Sequence, residues 1–393
     1  MPSGSEPAWR VLVALLVYNG EDFAGLCLSA LTRLKPGNHS VDILVLDDAS
    51  TAPGWSDRCR DMSTGLGFGY YRTPRNLGTP RNMNLAMQRA KDDRYDAVIL
   101  LSADTIVPSN LIPALISPLI DDSSVSSTSA WSDDSGVFSI PTADPDHLTG
   151  HPDIVDWISE QLSEEFEGLS VALPSGAGHC MALPTAKIDR VGLMDPVFAK
   201  GRWTEIDWSL RSHTMGYRSV LVPSCFAHRA SWEIHAATGV GRNEDRMDRT
   251  RRAVIEERYP SHASQLAAFS ASSVLADLRQ RGLHRIVVSA ARQYGYQLEA
   301  SRLHNRSDDR GTVRFRIDPD GVAPMIMASY QGFETSFTVG GGRILPTLET
   351  MVGQPPRAIR IFDRGPVSRT LEAEAGESGA IPLSHPPYRE GVF

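Results

Sequence analysis

Residues 96–108 read Asp96-Ala-Val-Ile-Leu-Leu-Ser102-Ala103-Asp104-Thr-Ile-Val-Pro108, an apolar run that stops on a small residue, a spacer and a carboxylate. A run of this length with no polar alternation suits a strand covered on both faces, as in the parallel sheets of α/β proteins. The carboxyl edge of such a sheet opens onto the crevice where these folds place ligand chemistry. Asp104 is therefore the first candidate site residue.

Working outward, the upstream chain repeats the same unit. Val11–Val17 is apolar, and Phe23, Leu26, Cys27, Ala30, Leu31 and Leu34 follow at the three-and-four spacing of one helix face. Lys35-Pro-Gly-Asn38 breaks that helix, and Val41–Leu46 gives a second buried strand ending on Asp47 and Asp48. A third strand is expected at Phe68–Arg72. Thr79-Pro80 then reads as an N-cap with proline at the first helical position, opening a helix through Met83, Ala86, Met87 and Ala90. Strand and helix alternate through the fourth strand at Asp96–Leu101, which predicts an α/β fold whose mostly parallel sheet is flanked by helices.

Downstream the pattern changes. Ser, Asp, Thr, Pro and Gly dominate from Asp121 to Pro152, which reads as a long exposed loop. Periodicity returns at Ile154–Phe166 and over Gly176–Pro223. Arg246–Arg258 and Ser264–Arg281 are expected helices. Thr312–Ile317 and Phe333–Val339 alternate like half-exposed antiparallel strands, and Ala373–Phe393 reads as a loose tail. The expected organisation is a catalytic domain over 1–241, a helical segment over 242–300, a small β-rich unit over 301–375 and a tail over 376–393.

The bulk properties narrow the function classes. Lys and Arg total 39 against 47 Asp and Glu over 393 residues, a formal charge of −8, so no basic nucleic-acid surface is expected. The four cysteines, Cys27, Cys59, Cys180 and Cys225, form no C-x-x-C pair; reduced core thiols and a cytoplasmic location are the expectation. The early apolar stretch at 11–17 is too short to span a membrane and reads as a strand, not a leader.

Four chemical features fall at strand ends. Asp47-Asp48 suits hydrogen bonding to a ribose or base, and equally suits capping of the next element; the residues alone leave both readings open. Arg75-Asn76-Leu-Gly78-Thr-Pro-Arg81 places two guanidiniums, a glycine and a helix N-terminus in one loop, a combination suited to a diphosphate, with a solvated, well-capped loop as the plainer alternative. Asp104 can hold one edge of an octahedral Mg2+ or Mn2+ whose other ligands are phosphate and water. The fourth feature is Trp203-Thr-Glu205-Ile-Asp207 with His228 beyond. Thr204 and Asp207 stand close to capping-box spacing, which gives Asp207 a structural explanation, whereas Glu205 sits in a first helical turn, placed to act as a general base. His228 by itself fits a packing role as well as a ligand role.

Taken in order, these motifs resemble one family. Tyr18-Asn19, Leu46-Asp47-Asp48-Ala-Ser50, Asn76-Leu-Gly78 with Arg81-Asn82-Met-Asn84, Asp104, Gly176-Ala-Gly178, Val191-Gly-Leu-Met-Asp195, Trp203-Thr-Glu205-Ile-Asp207, Gly216-Tyr-Arg218, Val222-Pro223 and His228 look like the family 2 glycosyltransferases of GT-A fold, in particular their rhamnosyltransferase-like members. The resemblance covers about 10–235. It implies a Rossmann-like GT-A domain with a nucleotide-sugar half at about 10–105 and an acceptor half at about 150–235. It further implies that Asp48, with Asp47, contacts the nucleotide and that Asp104 matches the last acid of the D-x-D motif. Asp104 would then bind the cation, Mn2+ or Mg2+, with His228 completing its ligands. Ser102 stands where the motif has its first acid. Glu205 inherits the base role from the family's Glu-Asp pair, which here reads Thr204-Glu205, and Asp207 is a second candidate.

The implied reaction is an inverting single displacement from a nucleotide-diphosphate sugar to an acceptor hydroxyl on a glycan, glycolipid, protein or small molecule. A dinucleotide-dependent dehydrogenase ranks low because the first βα turn, Tyr18–Asp22, carries no G-x-G-x-x-G. A nucleotidyltransferase would carry a basic Gly-rich phosphate loop there, which this chain lacks. A non-catalytic nucleotide-sugar or carbohydrate-binding module stays as the alternative, given Ser102 and Thr204. The chain beyond 242 lies outside the resemblance, and its later strands have two open uses, recognising an acceptor or forming a homo-oligomer.

Overall fold

The computed structural model describes residues 8–143, 147–198, 203–230, 241–302, 311–320, 325–339, 343–378 and 383–384. The chain divides into two compact units, one built from 1–140 and 148–276, the other from 141–147 and 277–393.

The first unit is organised on an eight-stranded sheet. Its strands are β1 (Arg10–Val17), β2 (Ser40–Asp47), β3 (Gly69–Arg72), β4 (Ala97–Ser102), β6 (Val125–Trp131), β7 (Val171–Leu173), β8 (Cys180–Pro184) and β9 (Arg218–Phe226), in the order β3-β2-β1-β4-β8-β6-β9-β7. β1 pairs in parallel with β2 and β4, and β2 with β3; only β8 and β7 run against the rest. This is the α/β, mostly parallel sheet expected from the alternation. Val11, Val13, Ala14, Leu15 and Val98 to Leu101 are inaccessible to solvent, as the runs without polar alternation require. Burial of each such large side chain contributes about 1.5–3 kcal/mol.

Between the strands run α1 (Glu21–Leu31), α2 (Trp55–Gly65), α3 (Thr79–Asp92), α4 (Leu111–Asp121), α5 (Pro152–Glu165), α6 (Thr185–Val191) and α7 (Trp203–Thr214). In α3, Met83, Ala86, Met87 and Ala90 enter one core with Leu12, Leu46, Val98, Leu100 and Met181. The cap of α3 is Gly78 rather than Thr79: its φ of 82° lies where a side chain is strained, and Pro80 follows in the first turn.

The segment expected as an exposed loop over 121–152 contains β6, buried along its whole length. Its sequence, VSSTSAW, is rich in hydroxyls, and the fold satisfies them internally: Ser126 pairs with Ser212 at 2.8 Å, Ser127 donates to Ser219 at 2.8 Å, and Thr128 donates to the Leu115 carbonyl at 2.8 Å. A buried hydroxyl is tolerated once it has a partner, so composition misleads here.

The helix expected at 246–258 lies within α8 (Gly241–Arg258), whereas the one expected at 264–281 is broken after Ser270 into α9 (His262–Ser270) and a further helix starting at Ser273; α8 and α9, expected in a separate segment, belong to the first unit. Arg258 of α8 donates to Asp207 of α7 at 2.9 Å and to Asp195 at 2.8 Å. The division falls at 276/277, inside α10 (Ser273–Tyr294), rather than at the expected 241/242.

The second unit has a six-stranded sheet built from β11 (Tyr296–Ala300), β12 (Val313–Ile317), β13 (Met325–Tyr330), β14 (Phe333–Thr338), β15 (Ala358–Ile361) and β16 (Leu383–Ser384), in the order β14-β13-β12-β11-β15-β16. The strands expected at 312–317 and 333–339 are β12 and β14, and alternate residues along β12, Val313, Phe315 and Ile317, are buried, as is Phe333 at the start of β14. α11 (Ile344–Val352) and α12 (Pro366–Ser378) complete the unit, and α12 occupies the start of the expected tail. The rest of that tail, apart from β16, lies outside the described residues. All four cysteines are buried and free. Among the described residues no helix is long and apolar enough to cross a membrane.

Candidate active site

Strand direction gathers the site. In a parallel sheet every carboxyl end lies on one edge, so Asp47, paired with Val17, and Ser102, paired with Leu16, face the same side. β8 runs the other way, which brings its amino end to that edge: Cys180 pairs with Leu101, and the Ser102 amide donates to the His179 carbonyl at 2.9 Å. β9 returns in parallel with β6 and delivers His228 and Arg229 as β10, which pairs antiparallel with β5 (Thr105–Ile106), immediately after Asp104.

The two acids at the carboxyl end of β2, Asp47 within it and Asp48 just beyond, have different surroundings. Asp47 is fully buried and accepts hydrogen bonds from the Ser50 amide, the Ser56 hydroxyl and the Tyr70 hydroxyl at 2.7–2.8 Å. Burial alone would raise its pKa, but these hydrogen bonds outweigh it and hold the carboxyl below its ordinary value. Asp48 turns the other way. Its Oδ1 accepts from the Leu77 amide at 2.8 Å and the Thr73 hydroxyl at 3.1 Å, and its Oδ2 from the Gly78 amide at 2.9 Å. Asp48 thus fixes the loop carrying Arg75, Asn76 and Arg81, whose side chains are exposed. Asn76 braces the same turn by accepting from the Gly78 amide at 3.1 Å.

Asp104, Arg229 and Glu205 come together near this edge, with the charges of both acids acting on Arg229. Arg229 Nε donates to Asp104 Oδ2 at 3.1 Å, and the Ala230 amide donates to the Asp104 carbonyl at 2.9 Å. Glu205, in the first turn of α7, is 5 % exposed, and its Oε2 has no hydrogen-bond partner. Burial pushes its pKa up to about 7, opposed by its own backbone amide and by the Arg229 charge. Gly178 leaves the room that Glu205 occupies: a Cβ at 178 would lie 2.3 Å from Glu205 Oε1. His179 is buried with neither ring nitrogen hydrogen-bonded. Burial, and then the nearby Arg229 charge, bring its pKa down to about 4, so the ring is neutral at physiological pH.

Asp207, the second base candidate, has other partners. Its Oδ2 accepts from Arg211 Nε at 2.9 Å, and its Oδ1 from Arg258 at 2.9 Å and the Tyr259 hydroxyl at 3.2 Å. The expected capping box is not formed, because Thr204 Oγ1 is buried without a partner. Asp207 ties α7 to the end of α8 through these donors.

His228 is fully buried with both ring nitrogens engaged: Nδ1 meets Asp133 Oδ2 at 2.6 Å and Nε2 meets the Thr149 hydroxyl at 3.1 Å. With Nδ1 donating to the carboxylate, Nε2 accepts from Thr149, which leaves no lone pair for a metal. Asp104 offers one carboxylate, already facing a guanidinium, and Ser102 stands where a second acid would be. Among the described residues no group of three or more His, Cys, Asp or Glu could hold a metal ion. The residues present therefore do not fit the cation expected between Asp104 and His228.

Arg229, His179 and Asp133 were not among the candidates read from the sequence, and Gly178 stood only within the quoted Gly176-Ala-Gly178 motif. Arg229 adjoins His228 and His179 adjoins Gly178, and that adjacency is the one signal that could have found them.

A mostly parallel α/β sheet with acids and arginines collected at its carboxyl edge has the architecture in which open α/β folds place their ligands. Residues 12–172 match the family model described as Glycosyl transferase family 2, and that stretch of the chain is a family 2 glycosyltransferase domain. No curated protein sequence matches the chain. Among solved structures, a mannosyltransferase from Pyrobaculum calidifontis in complex with GDP-Man and Mn2+ is 19 % identical with a TM-score of 0.41, covering 72 % of this chain and 75 % of its own. GalNAc-T7 with UDP, GalNAc and Mn2+ is 16 % identical at a TM-score of 0.44, over 86 % of this chain and 68 % of its own. Glucosyl-3-phosphoglycerate synthase from Mycobacterium tuberculosis, in complex with phosphoglyceric acid, is 16 % identical at 0.41, over 64 % and 80 %.

Proposed function

We propose that the chain is an inverting glycosyltransferase that moves a sugar from a nucleotide-diphosphate donor to an acceptor hydroxyl, with Glu205 as general base. The observation that carries this reading is the Glu205 carboxylate, buried, with an unpartnered oxygen, and set at the carboxyl edge beside Arg229 and Asp104. A carboxylate with a pKa of about 7 is poised to take a proton near neutral pH.

In this reading Asp48 holds the 75–81 loop so that Arg75, Arg81 and the N-terminus of α3 face the diphosphate, where donors and the helix dipole favour anions. Asp47 keeps the adjoining loop in shape, and Asn76 and Gly78 set the turn. The acceptor oxygen attacks the anomeric carbon as its proton passes to Glu205. The bond from that carbon to the diphosphate oxygen breaks, and its electron pair leaves with the nucleotide. A single displacement from the opposite face inverts the anomeric centre.

Release of free nucleotide from a panel of UDP-, GDP- and dTDP-sugars tests the reading. Turnover of at least one donor, lost in Glu205→Gln, supports it; no release from any donor by a protein that binds them favours a non-catalytic binding module.

A further inference from the structure

The guanidinium of Arg229 lies on the carboxylate at which the family resemblance places a cation. Its backbone is held from two sides: the Arg229 amide donates to Asp133 Oδ1 at 3.0 Å, and β10 is paired to β5 with Arg229 opposite Thr105. Its side chain is anchored at one atom, Nε, by Asp104 Oδ2 at 3.1 Å. The two Nη groups, four N–H donors in a planar fork, have no hydrogen-bond partner among the described residues, and the side chain is 27 % exposed, enough to meet a ligand from the crevice.

We propose that Arg229, oriented by Asp104, binds the donor's diphosphate directly through its Nη donors, so that grip on the diphosphate does not depend on a divalent ion. This rests on the glycosyltransferase reading above and deepens it. The chemistry fits the group. A guanidinium stays charged throughout the accessible pH range and bonds phosphate oxygens in pairs, which a spherical ion does only by adding ligands. As the anomeric carbon–oxygen bond breaks, the electron pair moves onto the diphosphate oxygen, and a fixed donor pair in a partly desolvated crevice offsets that charge without rearrangement. His179, held neutral beside Arg229, adds no competing charge. Asp104 then acts as a positioning residue: it aims the fork and holds the guanidinium where an ion bound to the same oxygen would be repelled.

Calorimetric titration of the full chain with UDP, GDP, dTDP, CDP and ADP, each with excess EDTA and again with Mn2+, tests this. At least one nucleoside diphosphate is expected to bind in EDTA within about threefold of its affinity in Mn2+. Arg229→Met is expected to weaken that binding by about tenfold or more, with partial recovery in Arg229→Lys and little change for the matching nucleoside monophosphate, a contrast that a merely structural role would not produce. Thermal unfolding of both variants confirms that each is folded when titrated. Binding seen only with Mn2+, or unchanged in a folded Arg229→Met, overturns the proposal while leaving the glycosyltransferase reading in place. Failure of every nucleotide to bind under both conditions overturns that reading and the proposal with it.

Discussion

Gly178 and Glu205 occupy one another's space: the absence of a side chain at 178 is what admits the Glu205 carboxylate, since a Cβ there would stand 2.3 Å from Oε1 and 2.4 Å from Cδ. Gly178→Ala should therefore displace the carboxylate while leaving the sheet intact. The expected result is loss of most turnover with a shift in Tm of a few degrees, measured by nucleotide release and thermal unfolding. Wild-type turnover in Gly178→Ala would mean that the position of Glu205 is immaterial.

Glu205→Gln keeps the shape and removes the base. Turnover should fall about a hundred- to ten-thousandfold with donor affinity little changed. In the native enzyme the rate should rise with pH and level off above about 7, following ionisation of Glu205, and this rise should vanish from the residual activity of the variant.

The same carboxyl predicts a stability trend. Its pKa in the folded state is raised from 4.5 to about 7, so the folded protein holds the proton more tightly than the unfolded chain. The resulting stabilisation is fully present below the unfolded value and is lost as pH rises through about 7. It amounts to roughly 3 kcal/mol between pH 4 and pH 8. His179, with its pKa lowered to about 4, contributes the opposite slope over an overlapping range. The difference in unfolding free energy between native protein and Glu205→Gln, followed across pH, isolates the glutamate. A difference that is flat with pH would refute its raised pKa.

Asp48→Ala leaves the buried Gly78 amide with only its 3.1 Å contact to Asn76 and strips Leu77 of its carboxylate partner. A loss of about 1–3 kcal/mol in stability is expected for each N–H left unpaired. Nucleoside diphosphate affinity should fall with it, because the loop bearing Arg75 and Arg81 is no longer fixed. Calorimetry and denaturant unfolding on one sample separate the two effects.

Asp207→Ala should behave differently from Glu205→Gln. It releases Arg211, Arg258 and Tyr259, and so loosens α8 from α7, at about 1–3 kcal/mol because both guanidiniums reach solvent. The folded fraction should keep its turnover. Equal loss of turnover in Asp207→Ala and Glu205→Gln, at a temperature where both are folded, would return Asp207 to the chemistry.

β1, β4 and α3 were legible in the chain because each carries its instruction locally, in an apolar run or a three-and-four stripe that is buried; β2 was legible as an apolar run, although it is buried only over Val45–Asp47. β6 was not. Its serines and threonine read as loop until Ser212, Ser219 and the Leu115 carbonyl, distant in sequence, supply partners. His228, which the family resemblance implied as a metal ligand, has both ring nitrogens engaged by Asp133 and Thr149, both distant from it in sequence.

The sequence by itself determined the alternation of strands and helices, the placing of Asp47, Asp48 and Ser102 at strand ends with Asp104 just beyond, and the presence of Glu205 in a first helical turn. These follow from short-range periodicity and from where apolar runs stop. Only the tertiary structure decided which acids face the crevice and which are consumed in holding it together. An acid's role depends on the donors that reach it, and those of Asp104 and Asp207, Arg229 and Arg258, lie 125 and 51 residues further along the chain.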